Sequence, residues 1–166
     1  MSEGPASPRV QQLCRPDLWE LLTVSVVVWS LYLIACFCPV YIELGWSPDG
    51  LGSPSRSVVG WQLLLYGWLF LFLYLPFCIP WAANLLLLQG WIFYLRGRAH
   101  AAAVFGGLAA AVGLATFTML RSEGQELLMG YYLWQTSLLV FAVASARHLL
   151  RTRSTVVECY YKATET

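Results

Sequence analysis

Four long stretches of the chain carry no Asp, Glu, Lys or Arg: residues 21–42, 57–95, 99–120 and 127–146. A helix needs about 20 residues to cross a ~30 Å hydrocarbon core, and each stretch is long enough. The pattern predicts four spans, at 18–40, 77–95, 99–120 and 127–148. Val24, Val26, Val27 and Val28 are β-branched. A backbone in lipid must nevertheless satisfy its own hydrogen bonds, and that selects helix.

The second stretch does not fit one straight span. Its 39 residues would make a helix of ~58 Å, about twice the depth of the bilayer core. Pro76 and Pro80 interrupt it, and each removes a backbone donor and crowds the preceding turn. The sequence therefore predicts a separate helix over 58–75, lying on the outer surface or re-entering from it, followed by the span at 77–95. A single kinked, tilted helix is the alternative. Trp61, Tyr66, Trp68 and Tyr74 give the first piece the aromatic character of a membrane interface. Gly45, Pro48, Gly50, Gly52 and Pro54 mark 41–57 as an outer loop with turn chemistry. Residues 1–17 read as a disordered cytoplasmic lead and 151–166 as a cytoplasmic tail around the bundle of 18–150.

The third span has a texture of its own. Ala99, Ala103, Gly107, Ala111 and Ala115 recur every four residues, widened by Gly106, Ala110 and Gly113. Small residues at such spacing let helix backbones approach closely. This is the expected helix-packing face, turned into the bundle; a dimer face is the alternative.

Composition agrees with the pattern. The chain of 166 residues is 58% hydrophobic and 11% charged, outside the range of soluble domains. A formal net charge of +1 gives no basic field for nucleic acid. Eight of the ten basic residues (Arg9, Arg15, Arg96, Arg98, Arg147, Arg151, Arg153, Lys162) fall at one side of a four-span layout. Arg56 and Arg121 fall at the other. The positive-inside rule then places both termini in the cytoplasm.

Candidate chemistry is sparse. The spans hold no Asp, Glu, Lys or Arg at depth, which argues against ion-coupled transport. His100 and His148 read as surface histidines at the cytoplasmic boundary, with no metal set around them. Asn84 and Gln135, with Trp81 and Trp134, form a candidate polar pocket. Its bland counterpart is inter-helix hydrogen bonding, in which the Asn84 amide bonds Gln135 or caps a carbonyl freed by Pro80. Cys36, Cys38 and Cys78 are candidate redox residues because all three fall near the outer face. Buried thiols acting as small hydrophobes are the commoner outcome, and no CxxC pair is present. Leu33-Ile34-Ala35-Cys36 also fits a lipoprotein cleavage box. The acidic Asp17 and Glu20 before the apolar run favour an uncleaved span instead.

Gly60-Trp61, Trp81-Ala82-Ala83-Asn84 and Gly130-Tyr131-Tyr132-Leu133-Trp134 together resemble small uncharacterised bacterial four-span inner-membrane proteins with a GW…WxAN…GYxLW rhythm. The likeness runs over about residues 18–150. Leu85 stands where that pattern often has proline. The resemblance implies a bacterial inner (plasma) membrane location and the four-span layout, and brings no known activity with it.

The sequence thus predicts an all-α, multi-pass membrane bundle of four transmembrane helices plus one outer helix. It points to a non-enzymatic accessory or interaction subunit, with the lipid bilayer and another membrane protein as partners, no nucleic acid and no cofactor. A small channel or a lipid- or small-molecule-binding protein is the alternative, and a membrane thiol–disulfide oxidoreductase the third reading.

Overall fold

A computed structural model describes residues 18–43, 56–73, 78–122 and 126–164, which are mostly helical with one small sheet. In chain order the elements are α1 (Leu18–Phe37), β1 (Pro39–Glu43), β2 (Arg56–Val59), α2 (Gly60–Leu73), α3 (Cys78–Leu95), α4 (Ala99–Ser122), β3 (Glu126–Leu127) and α5 (Met129–Thr164). The expected lead at 1–17, most of the loop within 41–57 and Pro76 lie outside the described residues. By length and composition α1 and α4 are able to cross a membrane, and Trp81–Leu95 within α3 is a shorter apolar helix.

The long helices pack in the order α3, α4, α5, α1. Aromatic contacts bring α1 back to α3: Trp91 Nε1 donates to Ser25 Oγ at 3.2 Å. The Trp29 and Trp91 rings also meet edge to face, with centroids 5.3 Å apart. Helix α2 lies against α3 and the end of α1. Between α3 and α4 the chain reverses in three residues. Gly97 has a φ of 70°, its N–H donates to the Tyr94 carbonyl and that of Arg98 to the Phe93 carbonyl. This pairing closes a helix with glycine in the left-handed region.

The core is built from small residues and a few large rings. Ala83, Leu87, Tyr94, Ala102, Ala109, Ala110, Leu138 and Phe141 form its main cluster. Phe141 is the wedge. A Cβ on Gly90 would come within 2.9 Å of its ring, and one on Gly106 within 3.1 Å. Many large apolar side chains among the described residues face outward, Val26, Leu33, Leu108, Leu114 and Val143 among them.

The packing face of α4 differs from the four-residue stripe. Its buried residues are Ala99, Ala102, Gly106, Ala109, Ala110, Gly113, Thr116 and Leu120. Gly107, Ala111 and Ala115 are exposed, and nothing lies within 4 Å of a Cβ placed on Gly107. The reason is helical pitch. A step of four residues overshoots one turn by about 40°, so the stripe drifts by about 160° from Ala99 to Ala115. Alternating steps of three and four hold one face, and those are the steps that the buried set takes.

Two other boundaries depart from the sequence reading. The ends of the expected loop are strands, in a three-stranded antiparallel sheet ordered β2-β1-β3. Tyr41 stands opposite Val58 on one side and Leu127 on the other. Val40, Tyr41 and Ile42, like Val58 and Val59, suit a pleated, half-buried surface, and Pro39 opens β1, where its missing N–H is tolerated. The tail is helix as well. From Tyr131 to Thr164 the chain holds no Gly or Pro, so nothing stops α5, whose 36 residues reach ~54 Å.

Candidate functional site

The sheet closes one end of the bundle, and a cavity of about 80 Å³ lies beneath it. Glycines let its walls come together. The Gly60 N–H donates to the Cys38 carbonyl at 3.2 Å, and a Cβ there would fall 2.5 Å from the Ala35 carbonyl oxygen. A Cβ on Gly130 would fall 2.7 Å from the Pro39 carbonyl oxygen. Gln62 reaches back from the first turn of α2 to accept the Val59 N–H at 3.2 Å, a side-chain cap that fixes where this helix starts.

Five aromatic rings stand in the wall, Tyr32 from α1, Tyr41 from β1, Trp81 from α3, and Tyr131 and Trp134 from α5, among aliphatic residues such as Val40, Leu63 and Leu120. Several polar atoms of the wall are occupied. Trp134 Nε1 donates to Asn84 Oδ1 at 2.8 Å. Tyr131 donates to the Gly113 carbonyl at 2.8 Å, and Thr116 to the Val112 carbonyl at 3.0 Å. The Trp134 bond holds the Asn84 carboxamide by its oxygen and leaves the amide nitrogen with no partner among the described residues. The wall therefore offers an apolar, ring-lined space with an anchored N–H₂ donor, the Tyr32 hydroxyl and the Cys36 thiol. It carries no carboxylate, imidazole, ammonium or guanidinium among the described lining residues.

The structure sorts the sequence candidates accordingly. Trp81, Asn84 and Trp134 meet at the cavity. Gln135 does not join them: one position on, it faces α4, donates to the Ala110 carbonyl at 3.3 Å, and lies against Gly113. The Asn84 amide does make an inter-helix hydrogen bond, but to Trp134 and not to Gln135, and the Pro76 carbonyl that Pro80 frees lies outside the described residues. Cys36 lines the cavity, and Cys36 and Cys38 are free thiols; the Cys78 side chain lies outside the described residues. His148 is buried, not on the surface, because its ring packs edge to face on Tyr94 with centroids 5.4 Å apart. No group of three metal-ligating residues occurs among the described residues.

Tyr32, Tyr41, Gly67 and Thr116 are wall residues that the sequence reading did not single out. A signal for the site was nevertheless present. Gly60, Trp81, Asn84, Gly130, Tyr131 and Trp134, drawn from three separate motifs, all line this one cavity. No protein family, curated protein or solved structure matches the chain.

Proposed function

We propose that the chain is a four-span membrane protein of the bacterial inner membrane that binds a small, mostly apolar molecule bearing one hydrogen-bond acceptor. The spans in this reading are α1, α3, α4 and the first part of α5, with the sheet on the outer side and the arginine-rich ends in the cytoplasm. The girdle of exposed apolar side chains supports the membrane setting. The observation that carries the binding reading is the anchored Asn84 amide in a ring-lined cavity. A few placed polar groups in an apolar concavity are the usual make-up of a ligand site.

Acetophenone and ethylbenzene, near-isosteres with and without a carbonyl oxygen, test this on the purified protein. Acetophenone is expected to raise the melting temperature saturably and to bind about fivefold more tightly, the worth of one net hydrogen bond of ~1 kcal/mol. In Asn84→Leu that preference should vanish while ethylbenzene binding persists. Equal binding of both by the wild type, or no saturable shift, would overturn the reading.

The interaction-subunit reading keeps one observation in its favour, the smooth outward strip of Gly107, Ala111 and Ala115 on α4. A stoichiometric membrane partner retained through the same purification, together with failure of both probes, would put that reading first.

The proposed topology makes a separate prediction. In sealed cells a membrane-impermeant thiol reagent should leave Cys14 and Cys159 unlabelled until lysis, and labelling of either before lysis overturns the topology. Labelling of Cys36, Cys38 or Cys78 that appears only after reduction would favour the oxidoreductase.

A further inference from the structure

The segments Trp81-Ala82-Ala83-Asn84 and Gly130-Tyr131-Tyr132-Leu133-Trp134 meet at one hydrogen bond, and that bond sets the polarity of the cavity. The end of an asparagine side chain has two faces. Its oxygen accepts, its NH₂ donates, and half a turn of the last torsion exchanges them. At Asn84 the neighbour makes the choice. Trp134 Nε1 lies 2.8 Å from the Asn84 oxygen, and an indole N–H only donates. It therefore takes the oxygen and leaves the NH₂ for the cavity. A flipped amide would set two donors against each other and leave the indole N–H without its acceptor.

Trp134 is itself held in place. Its ring packs on that of Tyr131 with centroids 5.8 Å apart, and the Tyr131 hydroxyl donates to the Gly113 carbonyl at 2.8 Å. Helix α4 thus steadies the ring that orients the amide. The Tyr32 hydroxyl, also in the wall, does not discriminate in this way, because a phenol donates or accepts by rotating its proton.

We propose that Trp134 is the specificity-determining residue of the cavity: through Asn84 it admits ligands whose polar group accepts a hydrogen bond, such as a ketone, ester or ether oxygen, and disfavours ligands that can only donate, such as an aromatic N–H. Trp134 acts through Asn84 and is a positioning residue. The proposal deepens the binding reading above and rests on it. It also has a consequence that a purely structural role for Trp134 does not share. Removing the indole N–H frees the amide to turn, so the variant gains a class of ligand.

Rings of similar size test this on the purified protein: cyclopentanone only accepts, pyrrole only donates and cyclopentene does neither. The wild type should bind cyclopentanone about fivefold more tightly than cyclopentene, the worth of one net hydrogen bond. In Trp134→Phe, pyrrole affinity relative to cyclopentene should rise by about the same factor, now that the Asn84 oxygen is free to face the ligand. Scoring against cyclopentene in the same protein cancels the room that the smaller ring opens. Adding Asn84→Leu to Trp134→Phe should remove the gain. Should Trp134→Phe not fold, replacing Trp134 by benzothienylalanine, which keeps the outline of the indole with sulfur in place of the N–H, carries the same test. An unchanged pyrrole-to-cyclopentene ratio in a variant that still binds cyclopentene would overturn the proposal, and so would a gain that survives Asn84→Leu. Where the wild type keeps its preference for cyclopentanone and Asn84→Leu abolishes it, either result defeats this inference alone. A wild type that binds none of the rings, or shows no preference for cyclopentanone, defeats the binding reading and this inference together.

Discussion

Gly60→Val is expected to unfold the sheet end of the protein, at a cost of about 3 kcal/mol or more. Forcing extra carbons into a packed site ordinarily costs about 1–3 kcal/mol, because side chains yield around the intruder. Here the obstacles cannot yield. The nearest atoms to the new Cβ would be the Ala35 carbonyl oxygen at 2.5 Å and Cys36 Cα at 2.9 Å, both backbone of α1. Moving α2 away instead breaks the Gly60 N–H bond to Cys38 and drags β2 from its pairing with β1. Gly107→Val is the control, since nothing lies within 4 Å of that position; it should fall within about 1 kcal/mol of the wild type. Unfolding in detergent followed by tryptophan fluorescence measures both. A Gly60→Val protein as stable as the control would show that α2 is free to stand off from α1.

Phe141→Ala is the second large effect, with an expected loss of about 3 kcal/mol. That is the lower end of the range for truncating a core aromatic ring. The lower end applies under the proposed membrane setting, where the residue leaves one apolar surrounding for another and the loss is of packing rather than of burial from water. The ring is fully buried, packs edge to face on Tyr94 at 6.0 Å, and fills the space that Gly90 and Gly106 leave open. A compensating change gives a sharper reading. Gly90→Ala should destabilise the wild type but stabilise the Phe141→Ala background, because the added methyl then enters a gap instead of a ring. Simple additivity of the two changes would show that they do not share a packing site.

How much of this was legible in the sequence depends on which physical signal each feature left. The helices were legible because length and charge placement are properties of single segments, and the observed bounds of α2, α3 and α4 fall within two residues of those expected. The sheet was not. Its strands are five, four and two residues long, and β1 and β2 flank a run of turn-forming residues that dominates any local reading. Strand pairing is a long-range fact, and Val40 to Ile42 alone are as compatible with the end of a span. The packing face of α4 was misplaced for a different reason: a constant interval of four looks regular in sequence but does not follow a helix of 3.6 residues per turn. The site was half legible. Asn84, Trp81 and Trp134 stand out as polar or amphipathic residues within apolar runs. Their pairing had to be seen, because Trp134 and Gln135 are neighbours in sequence but point about 100° apart, one to α3 and the other to α4.

The ion pair between Glu20 and Arg151 joins the first and last described helices across 131 positions of chain. At ~5–20 residues per second, a ribosome needs roughly 7–26 s to make that interval. Throughout it α1 is without the neighbour that covers most of its inward face, since its packing is chiefly against α5. A nascent chain stopped before Met129 thus leaves α1 with only its smaller contacts to α2, α3 and β1, and Glu20 without the Arg151 side chain. Closure of the described bundle therefore waits on the synthesis of α5.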